Sequence, residues 1–257
     1  MKRVLSAVLI APIILYAVLW GHPYVFLAVL SAVALLCQYE YAGIVKHYGI
    51  QSPGPLGYGA GLLLLLVPGQ ELAVLVGAAL LALTVSTTNG DVVKSMPRAA
   101  ALVLGLVYIF GCWKFGALLR GESPHWLMFT LALNWIGDTA AYYAGRALGR
   151  HKMAPRVSPS KTWEGAAASL VASGVFGAFY LPYFVPAVAL PAAVGMAVVA
   201  NVAGQVGDLA ESAIKRGAKV KDSSTLLPGH GGWLDRVDSS LFSMPVVYAL
   251  VRWLYHA

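Results

Sequence analysis

Apolar residues fill most of the chain in blocks long enough to cross a bilayer, and polar residues gather in the gaps between them. A hydrocarbon core asks for roughly 17–25 residues per helix. Blocks of that kind fall near 4–20, 23–45, 55–70, 71–88, 99–119, 125–145, 165–182, 186–208 and 238–256. The pattern predicts an all-α, polytopic fold of about nine transmembrane helices. Pro68 and Gly69 barely separate the third block from the fourth, and Gly57, Gly59 and Gly61 soften the third. One broken or re-entrant element over 55–88 is therefore the alternative there. Lys2 and Arg3 ahead of the first block give it the look of a signal peptide, but no small-x-small cleavage site follows, so it is read as an anchor.

Two of these blocks carry polar residues at helical spacing. Asn201, Gln205, Asp208 and Ser212 follow i, i+4, i+7, i+11 along the eighth, and Asn134, Asp138 and Tyr142 follow i, i+4, i+8 along the sixth. Ionisable side chains inside a membrane cost several kcal/mol facing lipid, so such stripes turn inward and mark a polar cavity or an ion site. For Asn134, Asn201 and Gln205, hydrogen bonding between helices explains the stripe as well as catalysis does.

Composition supports the membrane reading. Apolar residues make up 59% of the chain and charged residues 11%, with a mean hydropathy of +0.71. Soluble domains average roughly 25% charged. Cys37 and Cys112 lie in apolar blocks at no metal spacing, which excludes a disulfide framework or a zinc site. The net charge of +7 is carried by no basic, aromatic-interleaved soluble domain, so phosphates or anionic headgroups are expected as partners and nucleic acid is not.

The charges also set an orientation. With the N-terminus cytoplasmic, all basic residues except Lys114, Arg120 and Arg252 fall on the cytoplasmic side, as the positive-inside rule requires. Both long polar segments, 146–164 and 209–237, then face the cytoplasm. Asp138, Glu164, Asp208, Glu211, Asp222, Asp235 and Asp238 all lie in the last 120 residues. The chain accordingly divides into N-terminal helices, 1–130, and a C-terminal catalytic region, 131–257.

The stretch KVKDSSTLLPGHGGWLDRVDS, 219–239, is polar and Gly-interrupted in a chain that is otherwise mostly apolar. Asp235 and Asp238 are three apart, so a helix starting here presents both from its first turn. With Asp208 they make a hard oxygen cluster suited to Mg²⁺, which takes one or two carboxylates and completes its shell with water and phosphate. Pro228, Gly229, Gly231 and Gly232 allow backbone to approach a ligand closely. Lys215, Arg216, Lys219, Lys221 and Arg236 supply cations. Metal, cations and a Gly-rich turn together suit the transfer of phosphoryl-type groups. His230, flanked by glycines, is read as a phosphate or nucleotide hydrogen-bond donor. Glu40 is assigned either to a loop cation or to capping the bundle, and Glu164 is read as a helix N-terminal acid.

The run Ser212 to Asp238, SAIKRGAKVKDSSTLLPGHGGWLDRVD, resembles the signature of the phosphatidate cytidylyltransferase (CDP-diglyceride synthase) family. Trp233 departs from it, standing where the family has an aliphatic residue or Phe. A second block, Gly137 to Gly165, is also similar to that family, and its SPSKTWEG, Ser158 to Gly165, matches the family's loop. The first 130 residues resemble membrane helices only generically.

The resemblance implies an Mg²⁺-dependent, usually dimeric membrane enzyme that joins CTP to phosphatidate, giving CDP-diacylglycerol and pyrophosphate. Its metal-binding acids match Asp208 and Asp235, and a monovalent cation beside Mg²⁺ in the family brings K⁺ into the expectation. The resulting catalytic set is Asp208, Asp235, Asp238, Lys215 and Arg236. The substrate-binding set is Ser158, Lys161, Thr162, Arg216, Lys221, Asp222, His230, Gly231, Gly232 and Asp138. Lys161, taken as a flexible loop residue, is expected to tolerate arginine, and Arg236 to reject lysine. The place implied is a bacterial inner membrane with the active-site loops cytoplasmic. The alternatives are cytidylyl transfer to another lipid phosphate, such as an archaeal ether lipid, and an ion-coupled transporter using Asp138 and Asp208.

Overall fold

The computed structural model describes residues 12–51, 54–88, 91–227, 229 and 231–255, and these are almost entirely helical. Residues 12–19 are helical; residues 4–11 of the first predicted span lie outside the described residues. The helices that follow are α1 (Pro23–His47), α2 (Gly54–Leu66), α3 (Glu71–Thr88), α4 (Ser95–Gly105), α5 (Cys112–Glu122), α6 (Pro124–Leu148), α7 (Trp163–Phe184), α8 (Leu190–Gly217) and α9 (Leu234–Tyr255). Strands β1 (Lys152–Ala154) and β2 (Ser158–Thr162) form a small antiparallel hairpin between α6 and α7. A short 3₁₀ turn opens α4, and a π-helical turn at Leu106–Gly111 joins α4 to α5, making one continuous rod.

Four of these rods are long and apolar enough to cross a membrane: Pro23–His47, Val92–Glu122, Trp163–Phe184 and Leu190–Gly217. Along α7, Val171, Val175, Phe179 and Tyr183 recur every fourth residue and are all exposed. A contiguous apolar stripe of this kind is the surface that lipid covers. The architecture is that of an all-α integral membrane protein.

The chain divides into two compact units, residues 1–117 with 214–236, and residues 118–213 with 237–257. In the first, α1 is started by Pro23 and by the His22 side chain, which accepts from the Tyr24 N–H at 3.4 Å. The 55–88 region resolves into two helices, α2 and α3. Gly69 takes a left-handed φ of +74° between them, and Lys114, itself 8% exposed, caps the end of α2. Its Nζ donates to the carbonyls of Leu65 (3.2 Å) and Val67 (3.4 Å) and pairs with Glu71 at 3.3 Å. A cation at the carbonyl end of a helix is where the dipole favours it.

The second unit contains the polar stripes. Asn201 donates to Ser169 (3.0 Å) and Ser173 (2.9 Å) and accepts from Gln205 at 2.7 Å. Asn134 donates to the Thr130 carbonyl at 2.9 Å and accepts from Ser243 at 3.2 Å. The bonds from Asn201 to Ser169 and Ser173 and from Ser243 to Asn134 run between helices, which is the hydrogen-bonding reading of the stripes. A side chain at Gly137 would strike Asn201 and Ser169, so only glycine lets the helices close around that network.

Candidate active site

The predicted site residues fall into two groups, one in each unit. In the first unit, Asp235 occupies the first turn of α9, as its spacing predicts. Its side chain is 5% exposed and forms an ion pair of 2.5 Å with Lys215, on the last turn of α8. Asp235 also accepts from the Ser223 N–H (3.0 Å), the Ser223 hydroxyl (3.0 Å) and the Gly232 N–H (2.7 Å). Burial alone raises the carboxyl's pKa, but the Lys215 ammonium and the two amides outweigh it and hold the group below its ordinary value. Gly231, at φ +77°, and Gly232 form the turn that delivers the second of those amides. A Cβ on Gly232 would collide with Ser223 and Glu40.

Beside this loop lies a cavity of about 400 Å³ lined by His47, Lys221, Asp222, Ser223, Ser224 and Thr225, among others. Lys221 and Asp222 are exposed at it. Arg216 is exposed and donates to the Val220 carbonyl at 3.0 Å, bracing the loop. The Arg236 side chain is exposed. His230 and Pro228 lie outside the described residues.

In the second unit, the hairpin closes a cavity of about 460 Å³. Arg146, Lys152 and Lys161 bring positive charge to its wall, Asp138 and Asp208 bring carboxylates, and Tyr142, Met153 and Ala166 bring apolar surface. Lys161 lies in β2 and its Nζ is 2.6 Å from Asp208, which also accepts from Ser212 at 3.4 Å. The loop position expected for Lys161 is therefore a strand position with a fixed ion pair. Ser160 and Thr162 line the cavity, whereas Ser158 does not appear in its wall and sits opposite Ala154 in the hairpin register. Thr162 also caps α7, its hydroxyl accepting from the Gly165 N–H at 3.2 Å. Glu164 accepts from the His151 ring at 2.6 Å and from the Arg150 N–H at 3.2 Å, tying the hairpin to the start of α7. Asp238 is 8% exposed and accepts from the Ser239 N–H at 2.7 Å; Asp208, Glu211 and Asp138 lie near enough to act on it electrostatically.

Among the described residues, no group of three or more His, Cys, Asp or Glu side chains is arranged to hold a metal ion. The donors beside the predicted metal acids are nonetheless hard carboxylate oxygens, the kind Mg²⁺ selects. The cation position beside each acid is taken by an ammonium, Lys161 on Asp208 and Lys215 on Asp235.

Sequence reasoning passed over Arg146 and Lys152 as members of a basic run, and it did not single out Ser223 and Ser224. It left Glu40 without a definite role. The signal for Glu40 was present: a lone acid in the apolar run CQYEYAG must have buried partners. Which partners those are is decided by the fold.

Comparison with known proteins gives a consistent result. The model of the Cytidylyltransferase family matches residues 1–254. The chain is 32% identical over 276 residues to the phosphatidate cytidylyltransferase of Bacillus subtilis (strain 168), covering 97% of each chain. It is 35% identical over 264 residues to that of Pseudomonas aeruginosa, covering 97% of this chain and 96% of the relative. With that of Brucella suis biovar 1 it shares 46% identity over 141 residues, about half of each chain.

Proposed function

The chain belongs to the cytidylyltransferase family, and from that premise we propose that it transfers the cytidylyl group of CTP to phosphatidate, forming CDP-diacylglycerol and releasing pyrophosphate. The observation that carries this reading is the hairpin cavity, lined by Arg146, Lys152 and the Lys161–Asp208 pair together with apolar residues such as Met153 and Ala166. A lipid phosphate or a nucleotide phosphate meets the charge it needs there.

An oxygen of the phosphatidate phosphate attacks the α-phosphorus of CTP; the new P–O bond forms as the bond to pyrophosphate breaks. A phosphate monoester has a second pKa of about 6, so it is mostly dianionic at neutral pH and needs no strong general base. The barrier is the approach of two polyanions. Arg146, Lys152 and Lys161 offset that repulsion at the hairpin cavity, and Lys221 brings charge to the smaller cavity. Lys215 supplies charge at Asp235.

The proposal extends to Mg²⁺, for which the signature names Asp208 and Asp235, each a carboxylate with hard oxygen donors. When bound, Mg²⁺ would neutralise phosphate charge and favour pyrophosphate departure. A K⁺ beside it, a homodimeric assembly, nine spans, and an inner-membrane location with both polar segments cytoplasmic complete the reading. These rest on the resemblance and on the charge asymmetry.

The test is direct. Purified protein in lipid nanodiscs, given CTP labelled in the cytosine ring, phosphatidate and Mg²⁺, should move label into the organic phase with one pyrophosphate released per lipid labelled. Pyrophosphate released without lipid labelling, or no turnover of either substrate, would overturn the assignment.

A further inference from the structure

Glu40 lies two turns from the end of α1, far in sequence from either polar segment, yet it is 1% exposed and its carboxylate is fully engaged. Oε1 accepts from the Ser224 hydroxyl at 2.7 Å and the Trp233 N–H at 2.9 Å. Oε2 accepts from the Ser223 hydroxyl at 2.9 Å and the Leu234 N–H at 2.7 Å. Each oxygen thus takes one hydroxyl and one amide, using about all the acceptor capacity a carboxylate has. The two amides come from the start of α9, where the helix dipole favours an anion. The two hydroxyls come from the opposite limb of the same loop.

Ser223 extends the network to Asp235. Its hydroxyl stands 2.9 Å from Glu40 Oε2 and 3.0 Å from Asp235 Oδ2, but it carries a single hydrogen. When that hydrogen points to Glu40, Asp235 Oδ2 still accepts from the Ser223 and Gly232 N–H groups. Tyr48, which caps the end of α1 two turns beyond Glu40, donates to the Ile214 carbonyl at 2.7 Å, in the last turn of α8 just ahead of the loop.

We infer that Glu40 is the positioning residue of the 219–235 loop, a buried carboxylate that cross-links both limbs of the loop and thereby sets the orientation of Asp235. It touches no substrate and acts through Ser223 and the first turn of α9. Glutamine is the informative replacement. Its size is the same, but its NH₂ end meets an amide N–H, Trp233 or Leu234, with no acceptor to offer. Aspartate keeps the acceptors on a shorter stem.

The experiment compares wild type, Glu40→Gln, Glu40→Asp and Ser224→Ala as full-length protein in nanodiscs. Amide hydrogen exchange reads the loop without reference to any reaction, and steady-state kinetics reads its consequence, resting for that arm alone on the proposed cytidylyl transfer. Glu40→Gln should speed exchange at least tenfold in peptides covering 219–235, leave the hairpin peptides 150–162 unchanged, and lower kcat at least tenfold with KM for CTP within about threefold. Glu40→Asp should recover part of both losses. Ser224→Ala removes one donor, so it should move both readouts in the same direction by a smaller factor, and it serves if Glu40→Gln does not fold.

Exchange and kcat within twofold of wild type in Glu40→Gln, or faster exchange spread equally over the hairpin, would overturn the inference. An inactive wild type whose loop exchange still responds to Glu40→Gln would refute the proposed reaction and uphold the positioning role.

Discussion

The two polar segments that interrupt the apolar chain are held in different ways. The hairpin segment is braced by its own neighbours: Glu164 grips His151 and Arg150, thirteen and fourteen residues away, and Thr162 caps the helix that begins at the next residue. The signature loop is braced from a distance, by a carboxylate 183 to 194 residues earlier in the chain. Local bracing ties order to short-range chemistry, so one substitution there loosens one corner. Long-range bracing ties the loop to closure of the whole first unit, and a single buried side chain controls several backbone amides at once.

The largest expected effect comes from the two acids themselves. Asp208→Asn and Asp235→Asn should each lower turnover at least a hundredfold, about 2.7 kcal/mol of transition-state stabilisation. They should differ in exchange: Asp235→Asn also disorders 219–235, because the asparagine NH₂ must face either Lys215 or the Ser223 and Gly232 donors, whereas Asp208→Asn leaves that loop protected. Equal protection in both variants would break the contrast between the segments.

Next come the cations. Lys161 is fixed on Asp208 at 2.6 Å, and a wider guanidinium in that strand position must displace its neighbours. Lys161→Arg should therefore lose about tenfold in kcat/KM in nanodiscs of fixed anionic lipid content. Arg236 is exposed, and Arg236→Lys should lose less than Lys161→Arg. The reverse order would show that Arg236 engages substrate phosphate through its planar fork.

A smaller effect belongs to the hairpin. Thr162→Ala removes the cap of α7 and should cost about 1 kcal/mol of stability, seen as a drop of a few degrees in the midpoint of thermal unfolding. Exchange should rise in 150–165 and stay unchanged in 219–235.

The smallest is the pH response of the loop. The Asp235 carboxyl is held below the ordinary value of about 3.8 by Lys215 and the loop amides, against the opposing pull of burial. A lowered pKa contributes stability that is complete above the unfolded value and lost as pH falls through the folded one. Protection of 219–235, corrected for intrinsic exchange rates, should hold at pH 5 and decline only below about pH 4. A decline centred near pH 6 would mean that another group controls the loop.

The helices were readable from the sequence because they depend on contacts within one or two turns. The second to ninth apolar blocks fall on α1 to α9, the fifth on α4 and α5 together, the Asp235 spacing predicted the first turn of α9, and the acid before the seventh block predicted Glu164 at the start of α7. The break between α2 and α3 was ambiguous, since Pro68 and Gly69 suit a kink as well as a turn. Lys114, which settles it by capping α2, sits 47 and 49 residues from the carbonyls it binds. Likewise the sequence shows that Glu40 needs partners, because an unpaired carboxylate in an apolar run is too costly, but nothing in local periodicity names them. Only closure of the first unit brings Ser223, Ser224 and the amides of α9 onto that carboxylate, since the choice depends on which helix packs where and leaves no mark at short range.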